Sequence, residues 1–239
     1  MATPTKPIVV VKLGGSLITD KAAEEVLDGE ALAAACATLA AAATARLQLV
    51  ILHGAGSFGH HHARRVGFKT GTADAMGAAE TRGSVTLLHA HVLKALLHAG
   101  LPAVSAVQAM WAGDGLSAML ASCTRAWESG LVPVAHGDVV MAGKEGFEIV
   151  SADELMRSLV VGLGAAAGVF VSDVPGLLSH PPSVAGAKLI EEVRVPARGD
   201  AVLAAETSTV EHDATGGVSG KAAAAVALVR ACPRAAVVF

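Results

Sequence analysis

The feature that most constrains the fold is a repeated alternation of short β-branched runs with Ala- and Leu-rich stretches of helical length. Six runs predict strands, at Ile8–Leu13, Leu47–Leu52, Ala103–Val107, Leu131–Ala135, Val169–Ser172 and Ala235–Phe239. Helical patterns lie between most of them, at Gly29–Arg46, Asp74–His98, Ser117–Glu128, Ala152–Gly162 and Gly220–Arg230. Alternation of this kind is typical of βαβ units and a mainly parallel sheet. The sequence therefore predicts an α/β protein built as a three-layer α/β/α sandwich, with a hairpin between Asp138 and Val150.

Composition restricts the kinds of partner. The 239 residues are 53% hydrophobic, which is enough to bury a large core, so we expect a single domain over 1–239. The 18 Lys and Arg residues form no basic run and the net charge is −3, which argues against nucleic acid as a partner. Apolar runs are shorter than the roughly 20 residues that span a bilayer, and Met1–Pro7 has no apolar core, so no membrane association and a cytoplasmic location are expected. The three cysteines are far apart and are interpreted as structural.

Two Gly-rich segments follow predicted strands and could hold phosphate. The first predicted strand, Ile8–Leu13, contains Lys12 and is followed by the pair Gly14-Gly15. The second strand runs into HGAGSFGH at positions 53–60. Backbone N–H groups at glycines can approach phosphate oxygens, and ligands bind at the carboxyl ends of parallel strands. A lysine inside an apolar strand is costly unless its ammonium emerges beside an anion. The two segments therefore predict two phosphate-bearing ligands that face each other.

A third Gly-rich segment, DATGGVSGK at positions 213–221, precedes the last predicted helix. The N-terminus of a helix favours an anion. A lysine at that end is unfavourable unless its ammonium pairs with a bound anion. The earlier segment HGAGSFGH fits neither the P-loop nor the dinucleotide fingerprint. A phosphate site at the start of this helix is expected, with simple helix capping as the alternative.

Together these segments resemble the motif series of the isopentenyl phosphate kinases in the amino-acid-kinase family. The matching segments are KLGGSLITDK at 12–21, HGAGSFGH at 53–60, HGDVV at 136–140, SDVPG at 172–176 and HDATGGVSGK at 212–221. The resemblance covers nearly the whole chain in the right order. It implies ATP-dependent phosphorylation of isopentenyl phosphate to isopentenyl diphosphate, with Mg²⁺, in a homodimer. It also implies an acceptor lobe over about 1–150 and a nucleotide lobe over about 151–239.

The resemblance implies a role for each matching residue. Catalytic roles fall on Lys12, Lys21, His60 and Lys221. ATP contacts are implied for Lys12, Gly14, Gly15, Ser16, Gly56, Asp173, Gly216, Gly217 and Lys221. Contacts to the alkyl phosphate are implied for Gly54, Ala55, Gly59, His60, Asp138, Ala152 and Asp153. No side chain is expected to form a dedicated metal site, because Mg²⁺ arrives with the nucleotide.

Simpler interpretations stand beside these roles. Asp153 and Asp173 have the alternative of capping a helix or a turn, and Asp138 is equally well interpreted as a turn residue or as a wall of the acceptor pocket. His61 and His62 are expected to be solvated side chains near a helix start, because helix neighbours point in different directions. Two other functions remain open at this point. One is a kinase of this fold that acts on another small phosphate or phosphonate, and the other is a non-catalytic nucleotide- or oxyanion-binding protein.

Three departures from the family pattern have expected consequences. Ala152 stands where a glycine is usual, so its Cβ is expected to intrude near the acceptor phosphate. Pro175 is expected to alter the nucleotide loop. The sequence stops at Phe239, at the start of a predicted core strand, so a closing loop and final strand are expected to be absent.

Overall fold

The computed structural model describes residues 6–20, 22–43, 46–68, 71, 73–106, 115–141, 146–180, 184–192, 195 and 217–239. Its strands are β1 (Ile8–Leu13), β2 (Gln48–His53), β3 (Ala103–Ser105), β4 (Val132–His136), β5 (Asp138–Met141), β6 (Phe147–Val150), β7 (Ala167–Val171) and β8 (Ala236–Val238). Six of them form one sheet in the order β3-β4-β2-β1-β7-β8, with every neighbouring pair parallel. The remaining two, β5 and β6, pair as the predicted antiparallel hairpin. The predicted α/β architecture with a mainly parallel sheet is confirmed.

The described helices are α1 (Gly15–Ile18), α2 (Gly29–Ala42), α3 (Gly56–Arg65), α4 (Ala75–His98), α5 (Gly115–Glu128), α6 (Ala152–Leu163) and α7 (Gly217–Ala231). Side-chain caps fix several starts: Asp28 accepts from Ala31 N–H at 2.9 Å, and Asp74 accepts from Gly77 N–H at 2.8 Å. α6 ends at Gly164, which takes the left-handed conformation at φ 60°. The predicted helices are therefore present, with ends displaced by a few residues, while α1 and α3 were missing from the set of helical patterns.

Strand alternation divides the core between two faces of the sheet. Even-numbered positions of β1 and β2, such as Val10 and Leu52, pack with α5, α6 and α7 in one fully buried cluster. The odd-numbered positions Val11 and Ile51 pack with α2, α3 and α4 in the other. This period of two places the side chain of Lys12 on the α6 face and that of His53 on the α4 face. The alternation thereby decides which helix each functional side chain meets.

The strand order places one crevice at the centre of the sheet. From β1 the chain crosses to β2 on one side, and it later returns to β7 on the other side. In open parallel sheets, ligands bind outside the carboxyl ends of strands where the order reverses in this way. The loops that follow β1, β2 and β7 surround this point. Among the described helices, none is both long and apolar enough to cross a bilayer.

Candidate active site

The loops that follow β1 and β2 lie in direct contact. A Cβ built on Gly15 would lie 2.3 Å from the backbone nitrogen of Gly56, and one built on Gly54 would lie 2.7 Å from the backbone nitrogen of Gly15. Both distances are below any normal Cβ contact, so the backbones approach this closely because these positions lack side chains. The N–H of Ser57 donates to Thr19 Oγ1 at 2.9 Å and ties the same two segments. The two Gly-rich loops predicted to hold phosphate therefore form one continuous backbone surface.

Gly56 has a second reason to be glycine. It begins α3 with φ +51°, in the left-handed region, and a Cβ there would meet the side chain of Thr19 and the carbonyl of Gly15. This bend turns α3 directly out of the loop, so its N-terminus points at the carboxyl end of the sheet. Sequence reasoning expected a helix near the histidines but not one that begins inside the Gly-rich loop.

Lys12 projects from β1 toward the start of α6. It is 6% exposed, its ammonium lies 2.9 Å from Asp153 Oδ1, and it sits 5.6 Å from the centroid of the Phe170 ring. An ammonium has three N–H donors, and the carboxylate approaches it from one side. The ammonium can therefore also bind a further anion. Ser151 caps α6 by accepting from Glu154 N–H at 3.1 Å, so Asp153 pairs with Lys12 instead of capping the helix.

The loop after β7 borders the crevice on the side where the sequence predicts the nucleotide. Asp173 Oδ1 accepts hydrogen bonds from Ser16 Oγ at 3.0 Å and from Ser172 Oγ at 3.2 Å. The N–H of Gly14 donates to the carbonyl of Val171 at 2.8 Å. Three of the sequence-predicted nucleotide residues are thus joined across β1 and β7.

Ser16 and Asp173 also line an open cavity of about 520 Å³. The start of α2 forms its opposite wall, and the carboxylates of Asp20, Asp28 and Glu30 make it acidic. Such a lining repels a bare polyphosphate and favours a phosphate group whose charge is balanced by cations. Within the described ranges, no group of three or more His, Cys, Asp or Glu side chains is placed to hold a metal ion.

His60 lies on the exposed surface of α3, one turn after Gly56. Because residues four apart share a helix face, its imidazole stands on the side of α3 that carries Gly56. Gly59 packs tightly, since a Cβ there would lie 2.4 Å from the Cβ of Ala55. Ala55, Gly56, Gly59 and His60 therefore lie together in the first turns of α3 at the carboxyl end of the sheet, and their contact with an acceptor stays a prediction.

Asp138 is buried, and both its carboxylate oxygens are engaged. Oδ2 accepts from Arg82 Nε at 3.0 Å, and Oδ1 accepts from the N–H of Val139 at 2.8 Å. Beside it, a Cβ on Gly137 would lie 2.8 Å from the backbone nitrogen of Ala152, so this loop packs against the start of α6. Ala152 itself is 6% exposed. These contacts fix Asp138 beside the loop that packs against the start of α6, and its predicted contact with substrate stays a prediction.

The expectation that His62 is a solvated side chain was wrong. Its Nε2 lies 2.9 Å from carboxylate oxygens of Glu24 and Glu25, and Arg65 donates to its Nδ1 at 2.8 Å. Arg65 also pairs with Glu24 at 2.7 Å. The imidazole is buried because the chain between β1 and α2 folds back onto α3. The contact of Glu24 and Glu25 with His62 fixes the segment next to Lys21 to the helix that carries His60. His61, the other histidine expected to be solvated, is half-buried.

Several predicted residues fall outside what the structure describes. Lys21 and Gly216 are not among the described residues, and neither is the side chain of Lys221. Gly217 begins α7, and Lys221 belongs to its second turn. The predicted phosphate site at the start of this helix therefore stays a prediction.

Three buried histidines were missed as a group. His53 and His136 end β2 and β4 and are partners in the strand register, and His89 reaches them from α4. The signal was present in the sequence as two strand-terminating His-Gly pairs. The motif match drew attention to the glycines and to His60 and left the leading histidines without an interpretation.

Comparisons with known proteins show which family the chain belongs to. The profile of the amino acid kinase family matches residues 7–239. An isopentenyl phosphate kinase of Haloferax volcanii is 38% identical over 92% of this chain and 88% of its own length. One of Arabidopsis thaliana is 33% identical over 77% of this chain, and this chain covers 61% of that longer protein.

A solved structure shows the same fold. The product complex of the T. acidophilum isopentenyl phosphate kinase superposes with a TM-score of 0.74 over 97% of this chain and 90% of that one, at 24% identity. The sequence matches carry the family assignment, and the superposition carries the fold. The chain belongs to the amino acid kinase family and, within it, to the isopentenyl phosphate kinases.

Proposed function

We propose that this chain transfers the γ-phosphoryl group of ATP to isopentenyl phosphate and forms isopentenyl diphosphate. The observation that carries the proposal is the ion pair of the buried Lys12 with Asp153 at the start of α6, because Lys12 precedes by two residues the Gly-rich loop that contacts the loop after β2. Phosphoryl transfer passes through a loose transition state, so positioned cations and backbone donors supply most of the catalysis. This site offers both.

The acceptor phosphate is placed at the N-terminus of α3. Its oxygens would accept hydrogen bonds from Ala55 and Gly56 N–H, and His60 would donate from the next turn. Helix N-termini favour anions because their first N–H groups lack intrahelical acceptors. A phosphomonoester is already a good nucleophile at neutral pH, so the site needs to orient it and balance its charge more than to deprotonate it.

The nucleotide phosphates are placed between the β1 exit and the loop after β7. Gly15 and Ser16 would contribute backbone donors, with Asp173 orienting Ser16, while Gly14 holds the loop to β7 through its N–H. Lys12 would neutralise charge on the transferring group, and we propose that Lys21 and Lys221 assist it. In this arrangement about 1–150 supplies most acceptor contacts and about 151–239 completes the nucleotide side.

Magnesium enters the proposal as part of the nucleotide. Mg²⁺ binds through phosphate oxygens, waters and one or two carboxylates, and the acidic cavity beside Asp173 suits such a cation. Its chemistry would be to balance charge on the ATP phosphates. We further propose that the enzyme acts in the cytoplasm on a small alkyl phosphate.

The function is tested by ADP release from purified protein with MgATP, with and without isopentenyl phosphate, and with excess chelator. We expect ADP release that depends on both the acceptor and the metal. Acceptor-independent binding of ATP without turnover would indicate a non-catalytic protein. Faster turnover with another phosphate or phosphonate would show that the enzyme acts on a different acceptor.

The acceptor role of His60 gives a specific prediction. Replacing His60 with Ala removes a hydrogen bond to a charged group, worth about 1.5–3 kcal/mol. We expect kcat/KM for isopentenyl phosphate to fall by at least about tenfold while KM for ATP stays nearly constant. Steady-state kinetics in each substrate measures both values. His61→Ala serves as the matched control on the neighbouring helix position. Unchanged efficiency in His60→Ala would show that His60 is a surface residue without a role in acceptor binding.

We also propose a homodimer. The exposed face of α4 includes Met76, Leu87 and Leu97, which are 48–67% exposed and could contact a second copy. Light scattering at micromolar concentration should give twice the chain mass of 23.8 kDa. A monomer mass would contradict the proposal.

A further inference from the structure

Three histidines form a buried cluster under the acceptor loops, on the α4 side of the sheet. His53 is 0% exposed, His89 6% and His136 3%, and their ring centroids lie 4.6–5.2 Å apart. None of them has a part in the phosphoryl transfer described above. Their polar atoms nevertheless have defined partners, which determine where each proton lies.

The partners of His53 and His89 fix both tautomers. A carbonyl oxygen can only accept, so His53 Nδ1 must carry the proton that it shares with the carbonyl of Gly54 at 3.1 Å. In a neutral ring His53 Nε2 is then an acceptor, and it receives Nδ1–H of His89 at 2.9 Å. His89 Nε2 in turn accepts from Ser105 Oγ at 2.9 Å. The chain of hydrogen bonds runs in one direction and leaves both rings neutral.

His136 repeats the arrangement on the neighbouring strand. Its Nδ1 donates to the carbonyl of Gly137 at 2.7 Å, so its proton is also on Nδ1. Burial lowers the pKa of His136. Of the two charged groups that face it, Asp138 raises this pKa and Arg82 lowers it. Burial also lowers the pKa of His89 to about 3 and that of His53 well below its usual range. Neutral rings are thus consistent with packing three imidazoles together.

The two carbonyls belong to the loops of the acceptor site. A trans peptide points its C=O and N–H to opposite sides, so holding the carbonyl of Gly54 also sets the direction of Ala55 N–H. Ala55 is the N-cap of α3, where N–H groups are left for an anion. Holding the carbonyl of Gly137 likewise fixes the loop that packs against Ala152.

We propose that His53, His89 and His136 are positioning residues that act as neutral Nδ1–H imidazoles: His53, held by His89, orients the Gly54–Ala55 peptide group toward the acceptor phosphate, and His136 holds the Gly137 loop against the start of α6. The proposal rests on the proposed kinase function, since the acceptor phosphate is its ligand. It explains why two strands that meet in register both end in a His-Gly pair. His53 and His136 contact the peptide groups, His89 supports His53, and of these groups only the N–H of Ala55 would contact substrate.

Kinetics of two His53 variants separates positioning from packing. An Asn side chain places its amide N–H near the position of Nδ1, whereas Gln places its amide near Nε2. We expect His53→Gln to raise KM for isopentenyl phosphate by about tenfold or more and His53→Asn to recover most of that loss. KM for ATP should change by less than about threefold in both. His91→Gln, on an exposed position of α4, is the control.

The result that overturns the proposal is equal loss in both variants, or equal effects on KM for both substrates, because a purely structural role predicts no difference between Asn and Gln. Thermal melts establish that each variant folds.

Tautomers can be measured on the full wild-type chain, independently of activity. Long-range ¹H–¹⁵N correlation spectra of protein labelled at its 10 histidines distinguish Nδ1–H from Nε2–H rings. We expect His53, His89 and His136 to be neutral Nδ1–H imidazoles at neutral pH, assigned by loss of each signal in a single variant. An Nε2–H ring or an imidazolium at His53 would refute the proposal. If the wild type fails to phosphorylate isopentenyl phosphate, the proposed function fails while this spectrum still decides the state of the cluster.

Discussion

Replacing Lys12 with Met is expected to lower kcat by a factor of about 10²–10³, the range seen when one preorganised group that stabilises transition-state charge is removed. Met has a similar length and fits the apolar surroundings of the buried Lys12 stem, so the change removes mainly the ammonium. Because the charge on the transferring group develops during reaction, kcat should fall more than the affinity for either substrate. Steady-state kinetics in both substrates measures this split.

A loss of stability must be separated from the loss of chemistry. Asp153 Oδ1 is buried and, within the described part of the chain, has no aligned hydrogen bond besides its contact with Lys12. Removing the ammonium is therefore expected to destabilise the fold by about 1–3 kcal/mol. The double variant Lys12→Met/Asp153→Asn should regain stability without regaining kcat. Lys94→Met, on the exposed face of α4, is the matched control. A Lys12→Met enzyme with wild-type kcat would remove Lys12 from the catalytic groups.

The second large effect is expected from Gly15→Ala. The new Cβ would lie 2.3 Å from the nitrogen and 2.6 Å from the Cα of Gly56, and backbone on both sides leaves no flexible side chain to give way. The two phosphate loops must therefore separate. We expect the free energy of unfolding to fall by about 2–4 kcal/mol, as for severe overpacking, and the melting temperature by roughly 5–10 °C. Activity should fall further, because both substrates lose backbone donors at once.

Gly83→Ala is the matched control for this change. A Cβ on Gly83 meets nothing within 4 Å on the exposed surface of α4. Adding a methyl group there should stabilise the helix by about 0.5–1 kcal/mol and leave kcat unchanged. Thermal melts and kinetics of the two variants measure the difference. A Gly15→Ala protein that melts and reacts like the Gly83→Ala protein would show that the loops are not in contact in solution.

The sequence allowed much of the fold to be predicted because local patterns carry the information. Alternating β-branched strands and long Ala-rich helices depend on residues close in the chain, and the parallel sheet follows from them. Strand ends were less accurate, as at β2, which runs Gln48–His53 and not Leu47–Leu52. Helix α3 was not among the predicted helices because it begins at a positive-φ glycine, where propensity argues against a helix.

The sequence motifs supplied candidate site residues, but they did not predict contacts between distant segments. The sequence by itself pointed to Lys12 and the Gly-rich loops as candidates, because strand exits with glycines have a recognisable composition, and the family resemblance added His60 and Asp153. Only the tertiary structure decided that Lys12 pairs with Asp153 across 141 positions of the chain, that His62 is buried by Glu24 and Glu25, and that His53, His89 and His136 share one cluster. The physical reason is that strand register and helix packing determine which side chains meet and which lose contact with water, and neither is encoded within a single motif.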